Sequence, residues 1–135
     1  MASYREDLIA SLTKECREIQ LFIETTPSEN PEEVVERGNR LVVYLARTTK
    51  MLADAKQLYN VAKGQEVLSV IDDMMEKKLS AKVQNAMIDG ICSSEKYLVD
   101  WIDRLNSACT HNIDWCRTLI SKNKEEMRLA GMNRT

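Results

Sequence analysis

The sequence predicts an all-α protein: an elongated antiparallel helical bundle with two long helices and two shorter ones, assembled as an oligomer. Three observations predict it. The 135 residues include only 4 Gly and 2 Pro, so few positions interrupt a helix. Charged residues make up 30% and aromatic residues only 5%, a composition rich in strong helix formers. Apolar residues recur at spacings of three and four over long stretches, and no segment alternates as a half-buried strand would. The length fits a single domain with its own core.

The first helix is expected over about 4–25. "SYRE" reads as a capping box, with Ser3 at the cap and Glu6 reaching back. Leu8, Ile9, Leu12, Cys16, Ile19 and Ile23 then form one stripe, which "TTPSENP" ends.

The second helix is expected over 31–63. Asn30 suits the N-cap, Pro31 the first helical position, and Glu32 and Glu33 the positive end of the dipole. Its seam is Val34, Gly38, Leu41, Leu45, Thr48, Leu52, Ala55, Tyr59 and Ala62, a heptad-like run. Gly38, Thr48 and Ala55 are small and invite close approach of a neighbouring helix. Gly64 is expected to end this helix as its C′ residue.

A short third helix is expected over 65–77, with Val67, Leu68, Ile71, Met74 and Met75 on one side. The fourth is expected over 81–130, capped by Ser80. Its stripe runs Val83, Met87, Ile91, Ser94, Leu98, Ile102, Leu105, Cys109, Asn112, Cys116, Leu119, Asn123 and Met127, and Gly90 is its internal breaker. A helix of about 50 residues is about 75 Å long. A compact globule of this size is only about 37 Å across. Either this helix breaks near Gly90, or a second subunit covers it. The sequence reading favours the second, with a dimer first and a tetramer next.

Charge is distributed in blocks. Residues 1–33 carry 3 basic and 8 acidic groups, and residues 34–63 carry 6 and 2, while the whole chain has net charge −2. Solvated faces explain such blocks, and pairing across helices or subunits is the alternative. Cys16, Cys92, Cys109 and Cys116 show no disulfide spacing, so free thiols in a reducing cytoplasm are expected. The opening residues "MASYREDL" do not read as a signal peptide, and no run of about 18 apolar residues suggests a membrane span.

The polar stretch "ACTHNIDWCRTLIS" (108–121) holds the one histidine, His111. Within a helix, His111 meets Asp114 and Trp115 at i+3 and i+4, and Asp114 meets Arg117. A His–Asp pair can orient a base. Yet no strained turn presents Ser107, four residues before His111, or Thr110, next to it, as a nucleophile. Cys109 and Cys116 share the face of Leu105 and Leu119 and read as core. The Glu-x-x-His metal pattern fails because Ala108 precedes His111 by three. No cofactor, metal or catalytic residue is assigned. The stretch reads as a structural or interface ladder of His111, Asp114 and Arg117, beside an aromatic flank of Tyr97, Trp101 and Trp115. Asn112 and Asn123 interrupt the stripe, either to fix register or as solvated positions. Arg40, Arg47 and Lys50 on the second helix, with Lys122, Lys124 and Arg128 on the fourth, are the candidate contacts to nucleic acid. The overall negative charge and the lack of a recognised nucleic-acid motif make that reading the alternative.

Two segments carry a resemblance. "YLARTTKMLADAKQLYNVA" (44–62) contains Leu45-Ala46-Arg47 with Ala53, Ala55 and Tyr59. "YLVDWIDRLNSACTHNIDWCRTLISKNKEEM" (97–127) contains Asp103-Arg104-Leu105-Asn106, then His111, Asp114 and Arg117-Thr118-Leu119-Ile120-Ser121. Here the chain resembles small proteins encoded by tailed phages and prophages. The resemblance implies a cytoplasmic, all-helical protein and supplies no catalytic residues. The expectation is a non-enzymatic oligomeric interaction protein, possessing a protein partner and no membrane segment. The alternative is an accessory nucleic-acid-binding protein of phage DNA metabolism.

Overall fold

A computed structural model describes residues 2–132, without the side chains of Ala2, Ser3, Ser69 and Met74. The predicted Ser3 cap and Met74 packing therefore lie outside the described side chains. Four helices follow one another: α1 (Ala2–Glu24), α2 (Pro31–Glu76), α3 (Ala81–Ile91) and α4 (Ser93–Met132). No strand occurs among the described residues.

The entry to α2 follows the expected chemistry. Asn30 accepts hydrogen bonds from the Glu32 and Glu33 amides, and Pro31 opens the helix. These contacts satisfy donors that a helix N-terminus leaves free. Ser80 caps α3 in the same way, accepting from the Val83 amide.

Two boundaries differ from expectation. The helices expected over 31–63 and 65–77 are one helix of 46 residues. Gly64 is helical and does not end it. A mid-helix glycine costs about 1 kcal/mol. Burial on both sides of it offsets that cost: Ala62 before it and Val67 and Val70 after it pack with Ile88 and Cys92 across the α2–α3 hairpin. The helix ends instead at Lys77, followed by Lys78 at φ 50°, the left-handed position usually given to glycine.

The helix expected over 81–130 is two helices, interrupted at Cys92. Cys92 has φ −94° and ψ 24°, and its side chain is buried. Hydrogen bonding continues on both sides: the Cys92 amide bonds the Ile88 carbonyl at 2.9 Å, and the Lys96 amide bonds the Cys92 carbonyl at 3.0 Å. The break lies two residues beyond Gly90.

The core has two parts. In the central section α1, α2 and α4 enclose Leu12, Cys16, Ile19, Val34, Leu41, Met51, Ala55, Leu98, Ile102, Leu105, Cys109 and Cys116. The α2–α4 seam is close, as the small residues predicted. A Cβ on Gly38 would sit 3.6 Å from that of Cys116, an ordinary contact, and Thr48 and Ala55 are fully buried. The distal section is the hairpin of α2 and α3, with its small cluster of Ala62, Ile88 and Cys92.

This arrangement alters the length argument. Because α2 runs on to Glu76, one helix faces α4 and then α3. The stripe Leu98, Ile102, Leu105, Cys109 and Cys116 is therefore buried within the single chain. Covering it requires no second subunit.

Candidate interaction surfaces

The polar stretch in α4 divides along the helical faces. Cys109 and Cys116 are core residues, while His111, Asp114 and Arg117 face outward. Arg117 and Asp114 form an ion pair at 3.7 Å, with both side chains mostly exposed. His111 has no hydrogen bond or ion pair among the described residues. The structure thus brings two members of the ladder together and leaves the third apart.

The aromatic flank does not form one surface. Trp101 is half-buried and donates from Nε1 to Gln20 Oε1 of α1 at 3.1 Å. Trp115 packs against the central core. Tyr97 is 67% exposed and tilts over Trp101, with ring centroids 5.9 Å apart. Helix α1 covers much of what was expected to need another subunit.

The six candidate basic residues are largely engaged. Arg47 grips Glu15 of α1 through two hydrogen bonds, at 2.5 and 3.2 Å. Lys50 pairs with Asp54 at 2.9 Å, and Arg128 with Glu125 at 2.7 Å. The Arg40 guanidinium lies over the Phe22 ring at 5.4 Å. Arg40 and Arg47 therefore reach toward α1. Lys122 and Lys124 are exposed near the end of α4. The acidic block of α1 and the basic block of α2 meet in the Glu15–Arg47 pair, so part of the charge patterning is interhelical. Arg5 of α1 likewise pairs with Glu95 of α4.

Sequence reasoning missed most of the polar links between helices. Asn106 Nδ2 donates to Thr48 Oγ1 at 2.9 Å and Thr49 Oγ1 at 3.1 Å across the α2–α4 seam. Arg37 donates to Asn112 Oδ1 at 3.2 Å and to the Ile23 carbonyl at 3.4 Å, with its guanidinium 4.8 Å from the Phe22 ring centroid. That carbonyl lies in the last turn of α1, where carbonyls lack helical donors. Asn112, which interrupts the stripe, thereby joins three helices. Its position on the stripe was the available signal, but nothing identified Arg37 as its partner. In the hairpin, Tyr59 donates its hydroxyl to Asp89 Oδ1 at 2.5 Å. This bond, followed by burial, pushes the phenol up to about 12, and it holds the Asp89 carboxyl below its ordinary value.

All four cysteines are free and buried. Burial raises each thiol, with Cys16 reaching about 11. Among the described residues, no three His, Cys, Asp or Glu side chains are grouped to hold a metal ion. None of the described helices is long and apolar enough to cross a membrane.

Exposed apolar side chains concentrate in the distal section. Leu68 is 77% exposed and Met75 71%, and Val61, Ile71, Val83, Met87 and Ile91 are also open to solvent. Met127, Leu129 and Met132 are exposed at the far end of α4. The total accessible surface is 9666 Å². A compact monomer of this mass exposes about 7,200 Å². No protein family, curated protein or solved structure in the comparisons matches this chain.

Proposed function

We propose that this chain is a non-enzymatic helical interaction protein that works as an oligomer, and that it is an accessory factor of a phage or prophage. The carrying observation is the set of exposed apolar side chains, with Leu68, Met75 and Met127 each more than 70% exposed, on a chain whose surface of 9666 Å² exceeds that of a compact monomer of its mass. Interior polar groups support the reading, because Asn106, Arg37 and Tyr59 are engaged in holding helices together. The phage assignment rests on the resemblance in residues 44–62 and 97–127.

Light scattering on the purified chain tests the assembly. The expected mass is at least twice the 15.5 kDa of one chain. A monomer at micromolar concentration would overturn the oligomeric reading. Titration of labelled DNA at low salt tests the non-nucleic-acid part. No binding is expected, and a salt-sensitive shift would favour the alternative.

A further inference from the structure

We infer that two copies of this chain pair by exchange: the turn at residues 77–80 opens, and α3 and α4 of each copy pack on α2 of the other. The inference rests on the oligomeric reading above and adds the way in which the copies are joined.

Helix α2 and the α3–α4 arm form one antiparallel hairpin about this turn. Gly38 and Cys116, which face each other across the seam, lie equally far along the chain from Lys77. So do Thr48 and Asn106, joined by a hydrogen bond of 2.9 Å. Contacts placed in this way do not depend on both sides belonging to one chain. With the turns opened and two copies laid antiparallel, each α2 meets the other arm in the same register. The seam, the Tyr59–Asp89 hydrogen bond and the cluster of Ala62, Ile88 and Cys92 all form again between copies. Helix α1 stays on its own α2 and touches the α4 that the second copy supplies.

The turn is the weak part of the hairpin. Lys78 stands at φ 50°, in the left-handed region where a side chain crowds the backbone and glycine is usual. "KKLS" (77–80) holds no Gly, Pro, Asn or Asp to specify a reversal, and its lysines and leucine are good helix formers. Lys77, Lys78 and Ser80 are exposed and Leu79 is half-buried, so packing does little to hold the turn shut. The Ser80 cap and a 2.8 Å bond from Gln84 Nε2 to the Leu79 carbonyl steady the start of α3. Straightened into helix, the turn exchanges these for backbone bonds between the last carbonyls of α2 and the first amides of α3. It also removes the left-handed Lys78. A short strained hinge between long packed elements is the setting in which chains swap, and a two-fold pair closes the assembly.

A disulfide across the seam tests the exchange on the full chain. A Cβ at Gly38 would lie 3.6 Å from that of Cys116, within the span of a disulfide. Gly38→Cys is oxidised with glutathione disulfide, denatured without reductant and sized on a gel, and peptide masses identify the bridge between positions 38 and 116. With exchange the bridge links two copies, and the band stands at twice 15.5 kDa. A bridge found within the single mass, in a sample that light scattering shows to be dimeric, would overturn the exchange and leave the oligomeric reading intact. An unmodified chain that is itself monomeric would overturn both. Lys78→Gly asks the same question without a new bond. It relieves the closed turn and weakens the straightened helix, so the dimer's dissociation constant should rise at least about tenfold. An unchanged constant would overturn the exchange, because a dimer of closed hairpins does not depend on the conformation of this turn.

Discussion

The central section and the distal hairpin use the same amphipathic chemistry and reach different degrees of burial. In the centre, α2 lies against both α1 and α4, and Leu41, Met51 and Ile102 are fully enclosed. In the hairpin, α2 has α3 alone, and Ile88 and Cys92 are buried while Leu68, Ile71 and Met75 remain outside. A third helix makes the difference. Two helices shield only their shared face, and an apolar stripe on the opposite side stays wet unless another element covers it.

The largest test of this contrast is a matched pair of core truncations. Ile102→Ala should cost about 2–5 kcal/mol, because its fully enclosed site leaves a cavity that three helices hold open. Ile88→Ala should cost about 2 kcal/mol or less, because water or a shift of α3 can fill the vacated space. Urea denaturation with an unchanged slope measures both. Equal losses would show that the hairpin is packed as firmly as the centre.

The next test uses pH. The unfolded Tyr59 ionises near pH 10, and the folded phenol is held up to about 12, first by Asp89 and then by burial. The folded state therefore holds this proton more tightly. The stability it contributes is fully present below pH 10 and is lost as pH rises toward about 12. Asp89 acts in the opposite range, contributing above the ordinary carboxylate value and losing its contribution as pH falls through its lowered one. Thermal melts across the alkaline window should show a shallower decline for Tyr59→Phe than for the unmodified chain. The buried thiols act on both proteins alike, so parallel curves would remove Tyr59 from the linkage.

Much of the fold was legible because its signals are local. Asn30 and Ser80 cap the helices where expected, and the stripe of Leu98, Ile102, Leu105, Cys109 and Cys116 is the buried face of α4. The misread boundaries depended on tertiary balance. Gly64 resembles a stop signal, but packing against α3 outweighs its intrinsic cost. The actual stop has Lys78 in the left-handed position, where the sequence offers no glycine to reveal it. Arg37 was illegible for another reason. Its long side chain can lie along apolar surface and carry its charge to Asn112 and the Ile23 carbonyl. No helical periodicity announces such a reach between distant segments.

A smaller effect is expected at the junction between the two sections. Gly90 is helical and has a negative φ, and a Cβ there would meet nothing within 4 Å. Gly90→Ala should therefore stabilise the chain by about 1 kcal/mol, the difference in helix propensity. Denaturant titration reads the gain. A loss would show that the turn at Cys92 needs the freedom of glycine two residues earlier.

The smallest effect belongs to the stretch that looks most like a site in the sequence. His111 is exposed on α4, three residues before Asp114, which pairs instead with Arg117. That pair is itself 77% and 63% exposed, so water screens it. His111→Ala removes an outward side chain without opening a cavity or stranding a buried partner. It should change stability by less than about 0.5 kcal/mol, as surface substitutions away from packed features do. Assembly should be equally indifferent, because the exposed apolar side chains of Leu68, Ile71 and Met75 lie on distal α2 while His111 belongs to the central length of α4. Denaturation and light scattering on the same variant read both quantities. A change in mass with unchanged stability would move the interface to the α4 face and reverse the contrast between the two sections.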